Sequence, residues 1–324
     1  MNIIGFDIGG TKSAVLLAQI KPDGIVFFDR KEMATTSDWR YILNTLCGFA
    51  RQMEQEHGAA DVAGVSCGGP LSADRKSICS PPNLPGWDEV PVIEYLEDKL
   101  GIPVSMENDA DACALAEWRY GAGKGSDHMI FLTFGTGLGA GIILDGRLYR
   151  GSCGMAGEVG HIRMEADGPE GYGKRGSLEG FCSGGGIGRL ALEYVERGKK
   201  NGRIPAFARE EGAALTARTV AEAAKKGDED AQNIYRISGR EFGRGLSILI
   251  DLLNPERIVV GSIYTRCGEL LEESMYEEIR KEALLQSRDI CQIVPAKLGE
   301  QIGDYGAIMA AVYQQPLLSS SFVL

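Results

Sequence analysis

At 324 residues the chain is too long for one small core, and two domains are expected. Hydrophobic residues at 44% and charged residues at 24% are ordinary for a globular protein, and a net charge of −11 argues against a nucleic-acid or anionic-membrane surface, which needs concentrated positive charge. The eight cysteines form no C-x-x-C pair and read as reduced, mostly buried thiols. Met1–Asp7 lacks a signal-peptide pattern and no apolar run is long enough to span a bilayer, so a cytoplasmic location is expected.

The chain opens with an apolar strand from Asn2, a turn at Asp7-Ile8-Gly9-Gly10-Thr11-Lys12, and a second apolar strand to Ile20. Gly24–Phe28 reads as a third strand, and Ser37–Glu56 carries apolar residues at helical spacing. Val62–Cys67 is a short buried strand ending in Gly68-Gly69-Pro70, followed by a proline-rich loop through Asn83 and Trp87. A helix over Val90–Leu100 leads to the strand Pro103–Met106, and Asn108-Asp109 opens a helix to about Tyr120. Gly121–Ser126 reads as a linker. The spacing therefore predicts a smaller domain over residues 1–120, completed by a C-terminal helix at about 303–324, and a larger one over 121–302.

The larger domain begins by repeating the opening design: strand from Met129, turn at Thr133-Phe134-Gly135-Thr136-Gly137-Leu138-Gly139, strand to Leu144. A Gly-rich stretch runs from Gly151 to Gly188, where a helix is expected to start, and a polar segment covers about Glu196–Glu211. Further helices are expected at Thr219–Lys226, at Asp230–Leu253 before Asn254-Pro255, and from about Gly303 to Tyr313. A buried strand is expected at Arg257–Gly261 and a strand-like segment at Ile290–Ala296. Alternating strands and helices in both halves imply α/β domains.

A Gly/Thr hairpin tip is by default only a tight turn. Two of them, placed alike in two halves, suit a polyphosphate, because bare N–H groups and threonine hydroxyls make an anion-binding concavity. Gly168–Arg175 nearly matches a P-loop, but Arg175 replaces the Mg²⁺-holding Ser/Thr and no buried strand precedes it. Gly184–Gly188 fails the dinucleotide-binding glycine spacing. Asp7, mid-strand, is costly to bury alone, and a Mg²⁺ held through water would supply a partner.

Glu107-Asn108-Asp109 lies where open α/β sheets place ligands. Asn and Asp also cap helices, yet one residue suffices for a cap and the second carboxylate is left over. Gly157-Glu158-Val159-Gly160-His161 adds an acid and an imidazole among small residues. With Glu179 and Asn83, these groups suit a polyhydroxylated ligand, since carboxylates accept from vicinal hydroxyls and Asn or His can donate and accept. His57 and His128 read as structural. On residues alone, a phosphotransferase with a polar small-molecule acceptor is the expected class.

These motifs, together with Pro82-Asn83-Leu84-Pro85, Asn254-Pro255 and Gly303-Asp304-Tyr305-Gly306-Ala307, occur in an order and spacing that resembles the ROK family (repressor, open reading frame, kinase) over nearly the whole chain. The resemblance implies an α/β fold of two actin-like ATPase (RNase H-like) domains with a cleft between them. It also implies ATP- and Mg²⁺-dependent phosphorylation of a hexose or N-acetylhexosamine. Asp109 would be the base that accepts the sugar hydroxyl's proton. Gly69, Asn83, Asn108, Glu158, His161 and Glu179 would hold the sugar. Asp7, Gly9, Gly10, Thr11, Lys12, Gly135, Thr136 and Gly137 would take the ATP phosphates and Mg²⁺, with Gly261 and Ser262 near the adenosine. Ser262 departs from the usual Gly-Gly, which implies a slightly shifted nucleotide pose. A homodimer is expected from the family.

The larger departure concerns zinc. Typical members follow the histidine with C-x-C-G-x-x-G-C-x-E, three of whose cysteines join it on Zn²⁺. Here the register reads Glu170-Gly171-Tyr172-Gly173-Lys174-Arg175-Gly176-Ser177-Leu178-Glu179, with every cysteine replaced. The expectation is a loop held by hydrogen bonds and packing, without structural zinc. Two rival readings remain: a sugar-responsive repressor, disfavoured by the acidic charge and by a first hairpin that starts at Asn2, and a catalytically silent sugar-binding or sensing protein.

Overall fold

β1 (Asn2–Ile8) is apolar at almost every position, the signature of a strand covered on both faces. Ile4, Phe6 and Ile8 point to one side, where Ile42, Leu43 and Leu46 of α1 (Trp39–His57) cover them. Ile3 points to the other, against Ile308, Ala311 and Val312 of the last helix. The protein is described here from a computed structural model, over residues 1–22, 24–208 and 214–313. The expected helix beyond residue 313 and the polar residues 209–213 lie outside the described residues.

β1 pairs antiparallel with β2 (Lys12–Lys21), which pairs antiparallel with β3 (Gly24–Ala34), six residues longer than the sequence pattern suggests. On its other side β1 runs parallel to β4 (Val62–Cys67), and β4 to β5 (Val104–Asn108), giving the order β3-β2-β1-β4-β5. α2 (Val92–Leu100) and α3 (Asp109–Tyr120) flank β5 in sequence. Trp87 is fully buried and its indole N–H donates to the Thr36 carbonyl at 3.0 Å, anchoring the proline-rich loop that carries Asn83.

A second sheet is built from β6 (Met129–Phe134), β7 (Leu138–Leu144), β8 (Arg147–Leu148), β11 (Arg257–Val260) and β12 (Gln292–Pro295), in the order β12-β11-β6-β7-β8. Read backwards this is β8-β7-β6-β11-β12, the first sheet position for position. An antiparallel hairpin again adjoins parallel neighbours on its first strand. The paired Gly/Thr tips thus belong to two topologically equivalent sheets. Between β8 and β11 lie a two-stranded ribbon, β9 (Glu170–Gly171) and β10 (Lys174–Arg175), and helices α4 (Leu178–Phe181), α5 (Gly184–Lys200), α6 (Ala217–Lys225) and α7 (Glu229–Leu253). After β11 come α8 (Ile263–Cys267), α9 (Glu272–Glu282) and α10 (Leu285–Ile290), and the described chain ends in α11 (Ile302–Tyr313).

α5 begins at Gly184, not near Gly188 as the sequence suggests. Ser183 caps it by accepting the Gly186 N–H at 2.9 Å, so the glycines form its first turn instead of a loop before it. α7 ends as expected, with Asn254 in the left-handed conformation ahead of Pro255. All eight cysteines are free, but only Cys47, Cys67 and Cys182 are fully buried and Cys153 is exposed. No described helix is long and apolar enough to cross a membrane.

The chain divides into two compact units. Unit 1 comprises Met1–Lys124, Leu148–Ala156 and the chain from Glu300 onward; unit 2 comprises Gly125–Arg147 and Gly157–Gly299.

Candidate active site

In unit 1 the β1–β2 turn is closed by the Gly9 N–H donating to the Lys12 carbonyl at 3.0 Å. The end of β3 braces it: Thr35 donates its hydroxyl to the Gly9 carbonyl at 2.7 Å and its N–H to the Thr11 carbonyl at 3.0 Å. Gly10 lies directly against the loop residue Asn83; a Cβ at Gly10 would stand 2.5 Å from the Asn83 carbonyl oxygen. Only glycine permits that approach. Lys12 is exposed at the turn and pairs with Glu32 at 2.5 Å, which pairs in turn with Arg30. The two cations pull the Glu32 carboxyl down to about 2.

Asp7, one residue before the turn, is half-buried. Burial first, then the nearby carboxylates of Asp304 and Asp109, push its carboxyl up to about 6, against a smaller opposing pull from Arg30. Arg30 itself binds Asp304 at 2.9 Å. The three carboxylates form no direct metal-ligand cluster, so Asp7 is the single carboxylate there that could take a cation through water.

At the end of β5, Asn108 caps α3, its Oδ1 accepting the Ala110 N–H at 3.0 Å. Asp109 shares that N–H through Oδ1 at 2.8 Å. Its Oδ2 and the Asn83 amide both border the space left by the missing side chain of Gly68, while the Asn108 amide nitrogen lies against Gly69. Asp109 is open to solvent, yet enough protein surrounds it that desolvation raises its carboxyl above the ordinary range. Unit 1 therefore gathers Asp7, the Gly9–Lys12 turn, Gly69, Asn83, Asn108 and Asp109. An anion-binding turn, a cation-ready carboxylate and a candidate base share one region.

In unit 2 the β6–β7 turn is fastened to α5, the Gly184 N–H donating to the Gly135 carbonyl at 2.7 Å. Gly135, Thr136, Gly184 and Ser262 line one side of a cavity of about 790 Å³. Ala217, Ala221, Tyr235, Ile263 and Cys267 supply an apolar wall, and Arg218, Lys225 and Arg266 a charged rim. Its size and mixed lining suit a nucleoside beside a phosphate turn. Gly261 lies behind the cavity wall, its N–H on the Leu132 carbonyl. The sequence reading missed the α6 contribution: Ala217, Arg218 and Lys225 look like an ordinary amphipathic surface helix, and nothing in their pattern signals a ligand.

Glu179, a surface residue by default, is partly buried on α4, and its Oε2 accepts the Leu138 N–H at 3.0 Å next to Gly137. Glu158 and His161 flank a single helical turn, Val159–His161, with Glu158 exposed and His161 half-buried. His57 stacks on Phe28, and the His128 Nδ1 accepts the Asp145 N–H at 3.3 Å, both consistent with structural roles.

The positions expected from the family pattern to carry zinc ligands do not fit the ion. The Tyr172 ring stands edge-on to His161, with centroids 5.2 Å apart. Ser177 caps α4 through the Gly180 N–H, and Glu170 is exposed. Among the described residues no cluster of three or more His, Cys, Asp or Glu could hold a metal. The loop is instead fastened by Lys174, which donates to the His161 carbonyl at 2.6 Å, by the Met164 N–H on the Gly176 carbonyl, and by Arg163 on the Arg175 carbonyl.

Comparison with known proteins settles the family. The sequence pattern of the ROK family matches residues 3–314. The chain is a member of the ROK family. A glucokinase of Halalkalibacterium halodurans is 32% identical over 94% of this chain and 92% of its own. Among solved structures, a ROK hexokinase from Thermus thermophilus is 29% identical with a TM-score of 0.80, covering 97% of this chain and 99% of its own. A ROK family glucokinase from Streptomyces griseus, solved in complex with glucose and AMPPNP, is 31% identical with a TM-score of 0.77, covering 96% and 99%. The fold of this ROK chain, with two five-stranded sheets of equivalent strand order, is accordingly the α/β actin-like ATPase fold of those structures.

Proposed function

We propose that this ROK protein is an ATP-dependent sugar kinase that transfers the γ-phosphoryl group to a hydroxyl of a hexose or N-acetylhexosamine. The observation that carries the reading is the neighbourhood of Asp109, which shares unit 1 with the phosphate-type turn and with Asn83. The full-length likeness to glucokinases and the AMPPNP complex of one of them support the enzyme class and the donor.

In this reading Asp109 accepts the proton of the attacking hydroxyl while Asn83 and Asn108 orient the sugar. A raised carboxyl suits a group that must take up a proton during the reaction and release it afterwards. The Gly9–Lys12 turn and the Gly135–Gly137 turn offer N–H groups and threonine hydroxyls to the phosphates, where charge grows as the phosphoryl group moves. Asp7 would hold the Mg²⁺ that accompanies ATP, and the ion would supply neutralising charge to the phosphates. Glu158, His161 and Glu179 are sugar-binding residues in this reading, as the family resemblance implies. The nucleoside occupies the cavity beside Ser262. The protein carries no structural zinc.

The test is a coupled ADP-release assay over a panel of hexoses and N-acetylhexosamines with MgATP. Turnover with at least one sugar, absent without it, is the expected result. Sugar binding without ADP release across the panel would instead leave a silent sensor.

A further inference from the structure

Two residues before Asp109, Glu107 is fully buried at the end of β5. It is held by two guanidinium groups. Arg75 Nη1 pairs with Glu107 Oε2 at 2.9 Å, and Arg75 Nη2 pairs with Asp111 Oδ2 at 3.0 Å. Arg150 grips Glu107 from the other side, through Nη2 to Oε1 and through Nε to Oε2. Two carboxyl groups and two guanidiniums thus meet at the junction of β5 and α3. A buried carboxylate is tolerated only when it is paired in this way. Glu107 stands just before the junction and Asp111 just after it, so the cluster brackets Asn108 and Asp109.

Arg150 comes from an unexpected part of the chain. The polypeptide leaves unit 2 after Arg147, runs with unit 1 as Leu148–Ala156, and rejoins unit 2 at Gly157. This strap is pinned at its start by the Leu148 N–H on the Tyr313 hydroxyl at 2.8 Å, and it is closed by the Ala156 N–H on the Arg150 carbonyl at 3.1 Å. The Arg150 guanidinium also lies over the Tyr313 ring, 5.2 Å from its centre. None of these residues is among the sugar- or phosphate-facing groups.

We infer that Arg150 is a positioning residue: through Glu107 it fixes the β5–α3 junction that presents Asn108 and Asp109. The inference rests on the kinase reading for its catalytic consequence, but not for the mechanical one. Arg150 is the accessible member of the cluster, its side chain 29% exposed, so it can be replaced without opening a core cavity. Its loss removes one of the two guanidiniums that grip Glu107, and the junction relaxes.

The experiment compares wild type, Arg150→Met and Arg150→Lys by melting temperature, steady-state kinetics and amide hydrogen exchange. In folded Arg150→Met, kcat should fall about tenfold or more while the KM for MgATP stays within about twofold, because displacement of a base by a fraction of an ångström is felt mainly in turnover. Arg150→Lys, which keeps the charge and loses the two-pronged grip, should recover part of that loss. Exchange should rise in peptides covering residues 104–112. An unchanged kcat in the folded variant overturns the inference, as does unchanged exchange over 104–112. A purely structural arginine would lower the melting temperature and leave the kcat of folded protein intact. If Arg150→Met does not fold, the same comparison on Arg150→Lys decides. Should wild type phosphorylate no sugar, the kinase reading falls by itself, and the exchange data alone decide whether Arg150 fixes the junction.

Discussion

The Asp109 carboxylate and Gly68 face each other across the ends of two adjacent parallel strands. A methyl group placed on Gly68 would stand 3.7 Å from Asp109 Oδ2 and 3.5 Å from the Asn83 amide nitrogen. The missing side chain leaves room beside one carboxylate oxygen, while the other oxygen is occupied by the Ala110 N–H. Replacing Asp109 with Asn keeps the shape and that N–H contact but removes the proton acceptor. Asp109→Asn should therefore lose turnover by a factor of about 100 or more, with sugar affinity little changed. Calorimetric binding alongside the ADP-release assay checks both halves, and near-wild-type turnover would remove Asp109 as the base.

Asp7 makes the apo protein pH-sensitive. Its carboxyl rises from 3.8 to about 6 on folding, first through burial and then through Asp304 and Asp109. A raised carboxyl binds its proton more tightly in the folded state. The stability this confers is complete below about pH 4 and is lost as pH climbs through 6. Asp7→Asn should thus be more stable than wild type at pH 8, by something on the order of 2 kcal/mol, and should lose that advantage at pH 4. Thermal unfolding in the presence of a chelator and without nucleotide measures it. An equal difference at both pH values would sink the claim.

Much of this site was legible in the sequence because its parts are local. A glycine turn between two apolar strands, or an Asn-Asp pair at a strand end, carries its geometry in a few consecutive residues, and the duplicated hairpins suggested two related halves, which the structure shows as two sheets of equivalent order. What stayed hidden depends on distant partners. Arg75 and Arg150 read as ordinary charged residues until folding brings them to Glu107, at sequence separations no short pattern reports. The cavity beside Ser262 borrows Ala217 and Lys225 from a helix whose pattern is only amphipathic. α9 was missed for a different reason: it buries only Met275, Glu278 and Ile279, too narrow an apolar stripe to announce a helix.

The loop after His161 should bind no zinc. Its fastening by Lys174 on the His161 carbonyl and by the Ser177 cap leaves His161 without three further donors at tetrahedral spacing. Metal analysis of purified protein should find no stoichiometric zinc, and prolonged chelation should change neither the melting temperature nor activity restored with Mg²⁺. One zinc per chain would refute this.

Ser262 offers a test of strain beside the nucleoside-side cavity. It follows β11 with φ at +55° and ψ at −106°, a left-handed backbone that favours glycine. Its hydroxyl accepts from Arg266 Nη2 at 3.0 Å, an exposed contact that offsets only part of the strain. Restoring glycine removes a strain of about 1–3 kcal/mol at an entropic cost of about 0.5–1 kcal/mol. Ser262→Gly should therefore raise stability by about 1 kcal/mol. Because Ser262 and Arg266 both line the cavity, the KM for MgATP should move while that for the sugar stays fixed. Denaturant unfolding and two-substrate kinetics measure the two effects separately. A destabilised variant would show that the Ser262–Arg266 contact outweighs the strain, and a shifted sugar KM would separate Ser262 from the nucleotide.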